Sequence, residues 1–392
     1  VGGSSPTTVE REVNKVKQLT MCVDMGASMT KYGIVEPSVG NLSFPNNMIV
    51  RDTPSGTYKL SDSRYDNFEM CVTCPEQDKS GTPLEGILGK YVSFGKYAAR
   101  SKETAIRPSV DNKKCTQAIN YASVLASIAY EVERGNLWGK IKVLLAVPPV
   151  EIEQAKQAFQ ALIGVYKVTL VGGGRLADDE QTFEITEVGC FEESMLTCTS
   201  FLFSKRGPKH PELLGKTLLV FDIGASTTDV GIVKKGVYWD KSQQTLRIGG
   251  NMIRDIIKDA LYEKYEALLE GEELEDVITL GKVEICGEEY SIVDLLNEAR
   301  EHCAAEIREQ MSTYFKRTGT DVKTIGAVVL SGGGSLSSGA GSGEDDTMDK
   351  DTQSVGSFIC EALGLKGFYY GEEARYANVE GLVLRALLAE KN

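Results

Sequence analysis

Two short stretches of this chain have residue types and spacing suited to holding phosphate. Leu218 to Asp229 reads LLVFDIGASTTD. Four apolar residues form a buried strand, Asp222 ends it, and Gly224 opens a turn of small hydroxyl residues, Ser226 to Thr228. A second apolar run, Val230 to Val233, completes a hairpin. Glycine and small side chains let backbone N–H groups come close to an anion. An aspartate at the strand end can hold a hydrated Mg²⁺ beside the phosphates. Leu19 to Ile34 repeats the pattern: Asp24, Gly26, Ala27, Ser28 and Thr30 match Asp222, Gly224, Ala225, Ser226 and Thr228. Lys31 stands where the second hairpin has Asp229. A doubled phosphate hairpin implies two similar α/β domains facing one nucleotide.

The elements that must position these turns are legible around them. A third glycine turn, Gly332, Gly333 and Gly334, follows the apolar strand Ile325 to Leu330. It lacks an acid, so its backbone could lie flat against a base and ribose. None of the three turns fits GxxxxGK[ST] or GxGxxG, which excludes a P-loop and a dinucleotide fingerprint. Helices are expected over Thr116 to Arg134, Glu151 to Ile163, Ile292 to Phe315, Val355 to Leu363 and Leu382 to Ala389. Buried strands are expected over Ile141 to Val147, Tyr166 to Val171 and Thr182 to Val188, with a turn at Gly172 to Gly174. Gly249 and Gly250 precede another helix, Asn251 to Ala267, with Asn251 as its N-cap. Leu42 to Ala99 mixes Pro, Gly and short β-like runs such as Thr57 to Leu60, and reads as a small β-rich insertion. Leu268 to Asp276 reads as an acidic solvated face or loop, and Ser335 to Asp351 has the composition of a flexible acidic loop.

Composition bounds the class. The 392 residues suffice for two domains, and 42% hydrophobic with 25% charged residues is the balance of a soluble globular protein. With 43 basic and 56 acidic residues the net charge is −13, so direct contact with DNA is not expected. Nine scattered cysteines suit a reducing, cytoplasmic setting. Cys71 and Cys74 form one CxxC, but the two histidines and the lack of a second pair argue against zinc. No apolar run approaches a membrane span, and the first residues carry no secretory signal pattern.

Asp24 to Lys31 resembles the first phosphate motif of the actin and sugar-kinase superfamily, with the lysine seven residues after the aspartate as in actins. Asp222 to Asp229 resembles the second, and Val328 to Gly334 the adenosine motif. The segment at Glu193 and the Ala377 to Gly381 stretch stand where the two connecting helices of that fold belong. Within the superfamily the chain is most similar to bacterial actins of the ParM type, which segregate plasmids. The resemblance implies an α/β, actin-like (ribonuclease H-like, duplicated) two-domain fold with a nucleotide cleft. Residues 1–18 form an extension, 19–205 domain I, 206–370 domain II, and 371–392 a helix returning to domain I.

It also implies a filament-forming ATPase, with ATP or GTP as substrate, that moves DNA through a DNA-binding adaptor and touches no membrane. Mg²⁺ is held through water by Asp24 and Asp222, Lys31 offsets phosphate charge, and residues 26 to 28 and 224 to 227 bind phosphate oxygens through their N–H groups. Gly249, Gly250 and Gly332 to Gly334 complete the nucleotide site. Glu193 positions the attacking water, with Glu192 next in order and Glu187 third. A small-molecule kinase of the same fold, with Asp229 as base, and a non-polymerising scaffold are the alternatives.

Overall fold

The computed structural model describes residues 18–35, 39–55, 67–95, 98, 105–171, 180–336, 355–365, 368–371 and 374–389. Two mixed sheets dominate it. The first carries β1 (Leu19–Met25), β2 (Met29–Ile34), β3 (Val39–Pro45), β4 (Met48–Arg51), β5 (Asn67–Thr73), β6 (Tyr91–Gly95), β7 (Gly139–Val147), β8 (Gly164–Val171) and β9 (Gln181–Glu192). Their order is β3-β2-β1-β7-β9-β8-β5-β6-β4. The second carries β10 (Thr217–Ile223), β11 (Thr228–Lys234), β12 (Val237–Tyr238), β13 (Gln244–Leu246), β14 (Ala327–Ser331) and β15 (Phe368–Tyr370). Its order is β12-β11-β10-β14-β15, with β13 also on β11.

The sheets are copies in plan. Each begins with an antiparallel hairpin, β1–β2 or β10–β11. Each then adds parallel strands on the far side of the first strand, β7 and β9 or β14 and β15. β1 and β10 are central strands covered on both faces, which is why LTMCVDM and TLLVFDI are almost wholly apolar. In β1 the one charged residue is Asp24, and in β10 it is Asp222.

Helices cover the sheets. α1 (Ala118–Glu133) is buried from Ile119 to Glu133 and packs on β1. α2 (Ile152–Ala158) lies against β9. α3 (Glu193–Leu202) leaves the end of β9 and touches both sheets, through β7 and β9 on one side and β10, β11 and β14 on the other. α4 (Gly250–Tyr265) buries Ile253, Ile257 and Leu261, one residue per turn, against the second core. α5 (Gly271–Leu280), α6 (Val293–Thr318) and α7 (Val355–Leu363) complete that core. α8 (Ala377–Ala389) returns to pack on β1, β2 and β7 and crosses α3. The crossing is close: a Cβ on Gly381 would stand 2.4 Å from the Leu196 carbonyl oxygen.

Several sequence readings change. The described part of 42–99 is no separate insertion: β5 pairs with β8, so β5, β6 and β4 extend the main sheet. The Thr57 to Leu60 run lies outside the described residues, as do residues 1–17, the Gly172 to Gly174 turn and the acidic stretch 344–351. For Leu268 to Asp276 the solvated face holds and the loop does not: the segment runs into helix α5, where Leu274 and Ile278 lie one turn apart and are buried while Glu273, Glu275 and Asp276 are exposed. Asn251 lies inside α4, whose N-cap is Gly249. The antiparallel pair Lys282–Ile285 and Glu288–Ser291 was not anticipated.

Candidate functional site

Both hairpin turns face one cleft of about 780 Å³ between the sheets. In the first turn the Gly26 N–H donates to the Met29 carbonyl at 3.0 Å; in the second Gly224 donates to Thr227 at 2.8 Å. Each turn is fastened from behind. Asn46 Nδ2 donates to the Gly26 carbonyl at 2.7 Å, and Ser123 Oγ holds Asn46 Oδ1 at 2.7 Å. The start of α4 does this for the second turn: Gly250 N donates to Gly224 O at 3.0 Å and Asn251 N to Ala225 O at 2.6 Å. Asn251 Nδ2 also reaches Ser226 Oγ at 3.0 Å. With the carbonyls occupied, the N–H groups of Ala27, Ser28, Ala225, Ser226 and Thr227 have no partner among the described residues. Five backbone donors beside one cavity are a ready anion site.

The third turn is pressed onto the second. Gly332 has φ +83°, and a Cβ there would stand 2.3 Å from the Ile223 carbonyl oxygen. A Cβ on Gly334 would stand 2.6 Å from Gly224 O. Only glycines allow this approach, and Gly332 to Gly334 reach the cleft wall as a result.

The charges are divided. On the first-sheet side Lys31 Nζ stands 3.1 Å from Asp24 Oδ2. Lys114 Nζ stands 2.5 Å from Glu193 Oε1 and 3.9 Å from Asp24 Oδ1. Burial alone would raise the Asp24 carboxyl, but the two lysines overcome it and hold the group below its ordinary value. Asp222 has no ion pair with a lysine among the described residues, although the charge of Lys31 acts on it from farther off. Asn378 Nδ2 donates to its Oδ2 at 2.8 Å, and Thr197 Oγ1 donates to the same oxygen at 3.2 Å. Burial, then the charge of Glu193, push it up to about 6. Asp229 accepts from Thr245 Oγ1 at 2.5 Å, and burial followed by Glu193 push it well above the ordinary carboxylate range. Lys114 is raised, since Glu193 and Asp24 more than offset its burial.

Backbone amides on both turns, cations on the first-sheet side and acids without an ion pair among the described residues on the other: this suits a polyanion that brings its own divalent cation. The acids fit hydrated Mg²⁺, which keeps most of its waters and binds through one or two carboxylates plus phosphate oxygens. Asp222, oriented by Asn378 and Thr197, is the better placed of the two aspartates. No cluster of three His, Cys, Asp or Glu side chains able to hold a bare metal exists among the described residues, Cys71 and Cys74 included.

Of the residues expected from the sequence, Asp24, Gly26, Ala27, Ser28, Lys31, Glu193, Asp222, Gly224 to Thr227, Gly250 and Gly332 to Gly334 line the cleft. Thr30, Gly249, Glu192 and Glu187 do not. Thr30 is fully buried in β2. Gly249 lies under the second turn, where a Cβ would stand 2.7 Å from Ala225 O. Glu192 is held by Gln243 Nε2, and Glu187 pairs with Lys142 at 2.6 Å. Lys114, Thr197, Thr245 and Asn46 were missed. Nothing in the local sequence marks them, whereas Asn378 sits in the Ala377 to Gly381 stretch already singled out.

Two like sheets joined by crossing helices over a shared cleft are the actin-like fold, and this protein has it. Residues 220–339 match the family model described as archaeal actin homologue MreB-like, C-terminal. The archaeal actin homologue Ta0583 superposes with a TM-score of 0.67 at 15% identity, covering 95% of this chain and 100% of that one. ParM of Bacillus thuringiensis, solved with ATP, gives 0.66 at 14% identity over 96% and 100%. Ta0583 in complex with ADP gives 0.66 at 13% over 95% and 100%. No curated protein matches the chain by sequence. No helix among the described residues is long and apolar enough to cross a membrane.

Proposed function

We propose that the protein is an actin-like ATPase that binds Mg-ATP in the cleft, hydrolyses it slowly and assembles into filaments according to its nucleotide state. The observation that carries this is the pair of matched turns, with their free amides, facing each other above Glu193. The amides of 27, 28 and 225 to 227 hold phosphate oxygens, those of Gly26 and Gly224 being spent inside their own turns; Lys31 offsets the phosphate charge, and Asp222 and Asp24 face the hydrated cation. Mg²⁺, when bound, neutralises charge that develops on the phosphates. Glu193, at the first position of α3, holds the attacking water; positioning and charge stabilisation are most of what phosphoryl transfer requires. The first unit comprises 19–205 with 371–392, the second 206–370. By the resemblance to ParM, the filaments move DNA in the cytoplasm through a DNA-binding adaptor. GTP is the alternative substrate.

A small-molecule kinase is the second reading, favoured by Asp229 on the cleft wall. One experiment separates these: purified protein with Mg-ATP, followed by phosphate release and light scattering together. The ATPase reading expects phosphate without any acceptor, and scattering that appears with Mg-ATP and is absent with ATP and chelator. Turnover only on adding an acceptor supports the kinase. Turnover without scattering removes the filament.

A further inference from the structure

We propose that Lys114 is a terminal-phosphate ligand, and that its move from Glu193 to that phosphate releases Glu193 to hold the attacking water. This rests on the nucleotide reading above.

Lys114 begins a short 3-10 turn ahead of α1. Its backbone is clamped: the N–H donates to Glu151 Oε2 at 2.7 Å, and the carbonyl accepts from Asn120 Nδ2 at 2.9 Å. Only the side chain is left to move. It extends into the cleft, 17% exposed, and ends between Glu193 and Asp24. The two acids are not equally served. Asp24 also has Lys31, whereas Glu193 has no ion pair but Lys114 among the described residues. Without a phosphate, the charge of Glu193 is therefore masked by the one amine that pairs with it.

The first turn, the second turn and Glu193 bound a common space, the place where the outer phosphate of a triphosphate lies under the proposed reading. The same amine reaches that space from its present position by side-chain rotation. A terminal phosphate carries more charge than a carboxylate and offers three acceptor oxygens to an amine with three donors. Lys114 transfers to it. Glu193, whose one side-chain hydrogen bond among the described residues is the one from Lys114, then has an oxygen free for water. A diphosphate ends short of the amine, and Lys114 stays on Glu193. The hydrolytic group is unmasked only when there is a bond to hydrolyse.

The competing reading is that Lys114 only pins its loop to α3. In that case its loss shifts all nucleotide affinities together. Calorimetric titration of the full chain with ADP and with a non-hydrolysable ATP analogue, both with Mg²⁺, separates the two. Lys114→Met should lower the preference for triphosphate over diphosphate by at least about tenfold, the worth of one charge-assisted hydrogen bond, and leave ADP affinity within about twofold. Lys114→Arg should retain the preference. Removing Lys114 alone leaves two buried acids short of a cation. If that variant does not fold, Glu193→Gln and Lys114→Met/Glu193→Gln carry the test. The former frees the amine and should bind the triphosphate severalfold tighter than wild type; the latter should lose the preference. Equal losses for both nucleotides, or an intact preference in the variants lacking Lys114, overturn the proposal while leaving the nucleotide site standing. Failure of the wild type to bind either nucleotide overturns the proposed function, and this inference with it.

Discussion

Replacing Asp222 by Asn should make the nucleotide-free protein more stable, and more so at pH 7 than at pH 5. Asp222 is 7% exposed and its carboxyl is pushed from 3.8 to about 6 by burial and by Glu193. A raised carboxyl favours the folded state below its unfolded pKa. That stability is lost as the pH rises from about 4 through about 6. At pH 7 the ionised group costs roughly 3 kcal/mol relative to the unfolded chain, and at pH 5 about 1.6 kcal/mol. Asn keeps an acceptor for Asn378 and Thr197 and carries no charge to bury. Removing the Asp222 charge also eases the ionisation of Asp229, which it helps to raise, so that coupling acts in the same direction. Asp222→Asn should therefore gain about 1 kcal/mol more at pH 7 than at pH 5, a difference of about 1–2 °C in melting temperature for a chain of 392 residues. Thermal denaturation of both proteins at the two pH values, without nucleotide or Mg²⁺, measures it. An equal shift at both pH values, or a loss of stability at pH 7, would refute the electrostatic account of the cleft.

Two further outcomes follow from the geometry. Glu193→Ala should retain nucleotide binding but slow phosphate release about tenfold or more, each ~1.4 kcal/mol of barrier being a factor of ten; unchanged turnover in single-turnover assays would remove Glu193 from the reaction. Gly381→Val should destabilise the protein by about 2 kcal/mol or more, because its Cβ falls 2.4 Å from a backbone oxygen that cannot retreat without moving α3. A melting temperature within 1 °C of wild type, on the order of 1 kcal/mol or less for a chain of this length, would mean the two helices separate easily.

What was legible was local. A strand, its aspartate and the turn after it are contiguous, so both phosphate hairpins and the glycine turn at 332 could be read directly. Glu193 was picked out by the resemblance, as a Glu-Ser pair ahead of a helix; the sequence ended the strand at Val188, whereas β9 runs on to Glu192 and straight into α3. Strand partners are another matter. The β-rich character of 42–99 was visible, but nothing in Asn67 to Thr73 says that it pairs with Gly164 to Val171, about a hundred residues on. Lys114 was invisible for the same reason: a lysine in a polar loop has no local signature, and its meaning comes from Glu193 and Asp24, which distant strands bring to it. For Leu268 to Asp276 the solvated face was legible in the acids, but the helix beneath it was not, because they outnumber the apolar residues at helical spacing that bury one face of α5.

The return of α8 to the first sheet has a consequence for the order in which the protein can be made. Cys22, Val35, Leu144 and Ala146 of the first half form one cluster with Val379, Leu382 and Ala386 of α8. By the time residue 202 has emerged from the ribosome, the strands of the first sheet exist, but of this cluster's cover only Leu196 of α3 has been made, and the part α8 fills stays open. About 175 further residues must be made first, some 10–40 s at ordinary rates of synthesis. During that interval the nascent chain displays an apolar surface that belongs to its own last helix.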